Sequence, residues 1–260
     1  MPRHKNRITI GNNKGGVGKT TTTVELCAHA VYQRKKTLIV DADPQANASR
    51  IFLGYKPGAK DTTLFDVLLG EADVTDALKK ATDNWPGVYV LPGSQKLESA
   101  HKFLESEPGW ETALDEIIES IEDNFDLILI DSPPALGLLT KIAIRAANKV
   151  LIPTDTSIYG EEAVTKMFAL IEHIEKKTKH KVELVRVVLA AMQKGGAYAT
   201  REALSKLKTE YGDSFLPIEL PHTVKVMDAQ RAAVPKAAAQ ILQDDHKLYT
   251  GYKQLLESII

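Results

Sequence analysis

Lys14-Gly15-Gly16-Val17-Gly18-Lys19-Thr20 lies between an apolar run, Ile8-Thr9-Ile10-Gly11, and a segment of helical character that opens near Thr21. Glycines let a backbone curl so that consecutive N–H groups point inward at an oxyanion. A helix starting there adds the positive end of its dipole at the same place. Lys19 is therefore expected on the β- and γ-phosphates of a nucleotide and the Thr20 hydroxyl on Mg²⁺. Lys14, Gly15, Gly16, Val17, Gly18, Lys19, Thr20 and Thr21 are the expected phosphate-binding set. An ordinary tight loop needs neither this lysine nor this hydroxyl at this spacing. A dinucleotide fingerprint would need a third glycine for helix packing instead of Gly-Lys-Thr. The general G-x-x-x-x-G-K-[ST] frame is met only in part, because Asn13 stands where its first glycine would be and Lys14 adds a second lysine.

Outward from this loop, strands and helices alternate. Strands are expected at Ile8–Gly11, Thr37–Asp41, Val88–Leu91, Leu127–Asp131, Val150–Pro153, Val182–Met192 and near Leu216–Ile218. Helices are expected at Thr21–Arg34, Thr62–Leu69, Val74–Ala81, Gln95–Leu104, Trp110–Asp123, Leu138–Ala147, Glu161–Lys177, Thr200–Tyr211 and from about Asp244 onward. This order predicts βαβ units and an α/β fold, a mostly parallel twisted sheet with helices on both faces, in a single domain spanning 1–260. Strands that are apolar without period-two alternation predict a sheet covered on both sides. Ligands of such sheets bind outside the C-terminal strand ends. The glycine loop, Asp41 and Asp131 all fall there. Residues 1–7, with Arg3, His4, Lys5 and Arg7, are expected to form a small basic arm.

Composition agrees with a soluble enzyme: 43% hydrophobic and 26% charged residues over 260 positions. Lys plus Arg is 33 against 34 for Asp plus Glu, so nucleic acid would have to be held by a local basic patch. The single cysteine, Cys27, excludes an intrachain disulfide, fits a reducing cytoplasm and is expected in the core. No apolar run approaches the ~20 residues of a membrane span, and no signal-peptide pattern opens the chain.

Three blocks together resemble the ParA/MinD group of deviant-Walker P-loop ATPases, and within it the ParA-type DNA-partition ATPases that lack an N-terminal helix-turn-helix. They are Lys14–Thr20; Val40-Asp41-Ala42-Asp43-Pro44-Gln45-Ala46-Asn47, similar to the family's D-x-D-P-Q segment; and Leu127-Ile128-Leu129-Ile130-Asp131-Ser132-Pro133-Pro134, similar to its Walker B strand. The resemblance implies ATP and Mg²⁺ as ligands. Thr20 would bind the metal directly, Asp131 through a water, and Asp41 would support its water shell. Lys14, Lys19 and Asp43 are the expected catalytic residues, with Asp43 placing the attacking water. The family's signature lysine, here Lys14, reaches the partner's phosphates in an ATP-dependent homodimer. Slow hydrolysis would then be stimulated by a ParB-like or cargo-adaptor protein.

The same resemblance implies non-specific DNA binding by the ATP-bound dimer. Basic residues of the C-terminal third, Lys194, Arg201, Lys206, Lys208, Lys225, Arg231 and Lys236, are the candidates. Leu220–Ala229 is similar to the family's I-P-R-N-V-R-L-S-E-A, with His222 in place of an arginine, and Pro221 is expected near the adenine. Ile152–Glu162 resembles I-P-x-Q-x-E-x-x-A-L-E, but Asp155 and Ser157 replace the Gln and Glu. A MinD-like membrane-cycling ATPase is the alternative. It would need a basic amphipathic C-terminal helix, whereas the apolar positions of 246–260 are expected to pack on the sheet. A cluster-binding reductase would need more than one cysteine.

Overall fold

The computed structural model describes residues 6–192, 197–221 and 246–260. The strands are β1 (Arg7–Ile10), β2 (Thr37–Asp41), β3 (Lys79–Lys80), β4 (Val88–Leu91), β5 (Leu127–Asp131), β6 (Lys149–Thr154), β7 (Leu184–Met192) and β8 (Phe215–Pro221). They form one sheet in the order β3-β4-β2-β5-β1-β6-β7-β8, parallel throughout except for the β3–β4 pair. The described helices are α1 (Lys19–Tyr32), α2 (Asn47–Leu53), α3 (Leu64–Leu68), α4 (Val74–Ala77), α5 (Ala100–Leu104), α6 (Ala113–Glu119), α7 (Leu138–Ala146), α8 (Ile158–Thr178), α9 (Ala197–Tyr211) and α10 (His246–Ile259).

Successive side chains of a strand point to opposite faces, so an all-apolar strand needs cover on both. Leu38 and Val40 of β2 and Ile128 and Ile130 of β5 pack with α3, α6 and α7. Ile39, Leu127 and Leu129 pack on the other face with Val24 and Leu26 of α1, Phe52 of α2, and Tyr252, Leu255 and Leu256 of α10. A third cluster joins Val150 and Ile152 of β6 to Val164, Met167 and Ile171 of α8. The apolar side of α10 thus lies in the core, as its spacing suggests. Cys27 lies there too, fully buried. Among the described residues no helix is long and apolar enough to cross a membrane.

Four expectations need correction. The helix expected over Val74–Ala81 ends at Ala77, Leu78 is extended, and Lys79–Lys80 pairs antiparallel with β4. The open side of β4 offers backbone hydrogen bonds, and lysines suit a solvated edge strand. The helices expected over Gln95–Leu104 and Trp110–Asp123 are interrupted. Gln95–Ser99, Trp110–Thr112 and Glu122–Asn124 are 3₁₀ turns beside α5 and α6. Arg7 is no arm residue: it is 1% exposed and begins β1. Its Nη1 donates to Asp115 Oδ1 (2.7 Å) and its Nε to Glu122 Oε2 (2.6 Å), while Arg145 Nη1 holds the other Asp115 oxygen (2.8 Å). A buried guanidinium persists only with such partners.

Candidate phosphate and metal site

Strand β1 lies between β5 and β6, so the loop that follows it opens at the C-terminal ends of the central strands. Register sets the acidic residues level with it: Ile10 is opposite Asp131, and Asp131 is opposite Asp41. Residues separated by about a hundred positions in the chain therefore meet at one edge.

Gly16 (φ 75°) and Gly18 (φ 87°) take the left-handed conformation that bends the loop. A Cβ on Gly18 would also stand 3.3 Å from the Ala190 carbonyl. Val17, fully buried, anchors the loop between them. Asn12 braces its start: its Oδ1 accepts from Lys14 N (2.9 Å) and its Nδ2 donates to Pro153 O of β6 (2.8 Å). Gly18 is the N-cap of α1, so that helix begins at Lys19, two residues before the expected start. Its unpaired N–H groups join those of the loop.

Lys19 is buried, and its Nζ reaches back to the Lys14 carbonyl at 3.0 Å. Burial lowers its pKa against the opposing pull of Asp131 and Asp43. Thr20 Oγ1 donates to Asp131 Oδ2 at 2.7 Å, and Thr23 Oγ1 to Asp131 Oδ1 at 3.3 Å. Burial, then the Asp41 charge, pushes Asp131 up to about 8. Burial likewise raises Asp43, and takes Asp41 to about 6. Hard hydroxyl and carboxylate oxygens beside a phosphate cradle fit Mg²⁺, which is bound by one or two protein groups plus phosphate oxygens. Among the described residues no group of three or more His, Cys, Asp or Glu side chains is arranged to hold a metal ion.

Asp41 and Asp43 are held differently. Asp41 is fully buried, and its Oδ2 accepts from both Ser49 N and Ser49 Oγ at 2.7 Å, while Oδ1 takes only the Asp43 N–H at 3.2 Å. Through these bonds Asp41 fastens the turn that carries Asp43. Asp43 lies in that turn, with Oδ1 accepting from Gln45 N (2.9 Å) and its carbonyl from Ala46 N (2.8 Å). Gly93 closes the arrangement by donating its N–H to Ser49 Oγ (3.0 Å).

Lys14 bonds to the segment that joins β6 to α8. Its Nζ donates to Asp155 Oδ2 (2.5 Å) and to Ser157 Oγ (2.7 Å) at the start of α8. The ion pair holds the Asp155 carboxyl below the usual range despite partial burial. Asp155 and Ser157 stand where the resembled segment has Gln and Glu, and that departure was the available signal for their contact with Lys14. Thr23, Ser49, Gly93 and Asn12 carried no comparable signal.

Of the basic candidates, Lys194, Lys225, Arg231 and Lys236 lie outside the described residues, and Arg201 is placed on α9 by its backbone. Lys206 and Lys208 are exposed on α9, and Lys206 is ion-paired with Glu161. Pro221 ends β8.

Residues 5–184 match a family model described as AAA domain. The chromosome partitioning protein ParA of Caulobacter vibrioides (strain NA1000 / CB15N) is 32% identical over 230 residues, covering 88% of this chain and 85% of that one. The chromosome-partitioning ATPase Soj of Treponema pallidum (strain Nichols) is 32% identical over 228 residues, covering 88% and 87%. The septum site-determining protein MinD of Pyrococcus horikoshii OT3, solved with Mg-ADP, superposes with a TM-score of 0.74 at 25% identity over 97% of this chain and 94% of that one. A two-lysine glycine loop, a hydroxyl–carboxylate pair beside it and relatives of this closeness place the chain in one family: it belongs to the ParA/MinD group of P-loop ATPases, alongside the ParA and Soj proteins.

Proposed function

We propose that the chain binds ATP with Mg²⁺, dimerises in that state, binds DNA non-specifically and hydrolyses ATP slowly until a ParB-like or cargo-adaptor protein stimulates it, so partitioning a plasmid, chromosome or other cargo in the cytoplasm. The observation that carries this reading is the Thr20–Asp131 contact of 2.7 Å at the mouth of the glycine loop, with Lys19 close enough to Asp131 and Asp43 to feel both charges. Thr20 and Asp131 would hold Mg²⁺, which would offset negative charge on the triphosphate. The loop N–H groups and Lys19 bind and orient the triphosphate. Asp43 positions the attacking water, and Asp41 holds Asp43 in place through the turn. Phosphoryl transfer asks chiefly for such positioning and charge stabilisation.

Lys14 is the switch in this reading. Its amine gives up Asp155 and Ser157 and engages phosphate across the dimer, where it acts as an arginine finger does in trans. The reading is tested by light scattering and by DNA binding with ATP, ADP or no nucleotide over a salt series. The wild-type chain should dimerise and bind DNA with ATP only, with affinity falling steeply as salt rises. Lys14→Ala should bind nucleotide, remain monomeric and lose hydrolysis. A Lys14→Ala chain that still dimerises with ATP refutes the trans role, and DNA affinity equal in all nucleotide states refutes the switch.

A further inference from the structure

A lysine ammonium has three N–H donors. Two of those on Lys14 are taken within the chain, by Asp155 Oδ2 at 2.5 Å and by Ser157 Oγ at 2.7 Å. Both acceptors belong to the turn between β6 and α8, 141 and 143 positions away in the sequence. Lys14 is 25% exposed and Asp155 23%, so water screens the pair only in part. Charge-assisted bonds in such surroundings are stronger than those of fully solvated surface pairs.

The turn holds its carboxylate ready. Asp155 Oδ1 accepts from Ser157 N (3.1 Å) and from Ser157 Oγ (2.6 Å), which leaves Oδ2 for the amine. Ser157 is the N-cap of α8, and its Oγ also accepts from Gly160 N at 3.1 Å. Gly160 packs against the turn: a Cβ there would collide with Asp155 Oδ1 and stand 2.5 Å from the Asp155 carbonyl. Thr154 Oγ1 closes the arrangement by donating to Gly160 O at 3.1 Å. A carboxylate fixed in this way loses little freedom when it binds a cation. Burial pushes the Asp155 carboxyl up, but the hydrogen bonds from Lys14 and Ser157 outweigh it and keep the group below the usual carboxylate range. The segment that this turn resembles has Gln at 155, which carries no charge to offer the amine.

We propose that Asp155, braced by Ser157, is a latch on Lys14 that competes with a triphosphate for the same ammonium and so sets the ATP concentration at which two copies of the chain assemble. Such a latch matters only if Lys14 acts in trans, and so it rests on the function proposed above. Asp155 acts through Lys14 and is a positioning residue. With the latch closed, only the fraction of chains whose amine is free can clamp a partner's phosphates, and the apparent affinity falls by that fraction. Once the γ-phosphate is gone, the latch recovers the amine and favours separation.

The test uses the full chain. Light scattering over an ATP series gives the midpoint of assembly. Acetic anhydride labelling without nucleotide, read by mass spectrometry, gives the reactivity of the Lys14 amine. Asp155→Asn keeps the shape of the side chain and an oxygen for the Ser157 bonds while removing the charge. It should lower the assembly midpoint by about tenfold, as the loss of a charge-assisted bond implies, and raise Lys14 labelling severalfold. Its assemblies should also come apart more slowly once ATP is removed. Ser157→Ala, which leaves the carboxylate in place, should act in the same direction and less. Glu162→Gln removes a carboxylate from the exposed side of α8 and should change neither readout. An assembly midpoint that stays or rises in Asp155→Asn, while Lys14→Ala remains monomeric, overturns the latch and leaves the trans role standing. Unchanged Lys14 labelling overturns it too, because the carboxylate then does not restrain the amine. A Lys14→Ala chain that assembles with ATP overturns the proposed function, and the latch with it.

Discussion

Gly93 shows how narrowly the acidic side of the site is fixed. A Cβ at this position would stand 2.6 Å from the Asp41 carbonyl and 2.9 Å from the Asp43 carbonyl. Both are backbone atoms, so the turn carrying Asp43 would have to move. Overpacking of this kind costs about 1–3 kcal/mol, and a misplacement near 1 Å at a reacting centre lowers turnover by roughly a hundredfold. Gly93→Ala is therefore expected to fold, to bind nucleotide nearly as well as wild type and to hydrolyse ATP at least about tenfold more slowly. Steady-state hydrolysis beside a fluorescent-nucleotide titration checks this. Unchanged turnover would show that Asp43 is not the water-placing group. The sequence displayed Lys14, Lys19 and Thr20 because they share one short loop, and Asp43 and Asp131 because each closes or follows an apolar strand run within its own short block. It could not display Gly93 or Ser49, whose contact spans 44 positions and exists only once β2 and β4 pair.

At the scale of elements, α1 carries a buried acid that the chemistry does not use. Glu25 is fully buried, and neither carboxylate oxygen has a hydrogen-bond partner among the described residues. Burial raises its pKa to about 8, and its charge would also disfavour ionising Tyr252 of α10. The folded pKa lies above the unfolded one, so this group's contribution to stability is complete below about pH 4.5 and is lost as pH rises through 8. Glu25→Gln cannot ionise and should be free of that slope. In thermal unfolding at pH 5.5, 7 and 8.5, the variant should gain on wild type with each step, by about 3 kcal/mol in all, the second step being the smaller as the group nears full ionisation. A constant difference across the three conditions would show that the Glu25 pKa is ordinary. The same elements show what was legible. Strands β2, β4 and β5 fall on the residues expected, because a strand buried on both faces is a continuous apolar run bounded by turn residues. Strand β3 is two lysines with no apolar signal, and only the open side of β4 makes it a strand. The breaks around α5 and α6 likewise come from tertiary packing that helical periodicity does not encode.

For the whole molecule, the phosphate loop and the Arg7 cluster occupy opposite ends of β1. Four residues at about 3.3 Å each separate them by roughly 13 Å. One end carries the proposed chemistry. The other ties the central strand to α6 and α7 through Arg7, Asp115, Glu122 and Arg145. Removing one member of a buried ion network leaves charge without a partner, which costs about 3–5 kcal/mol. That is a large share of the roughly 5–15 kcal/mol by which domains are stable. Arg7→Met keeps the length of the side chain and strips its charge. It should lower the urea midpoint by an amount equivalent to that loss with the slope unchanged, since the folded surface is the same. Adding Glu122→Gln to it should recover part of the loss, because one stranded carboxylate is then neutral. Nucleotide affinity, measured in the cold where both variants are folded, should match wild type. A loss under about 1 kcal/mol would show that the network is solvated. Weakened nucleotide binding by the folded variant would show that strain at the base of β1 reaches the loop at its top.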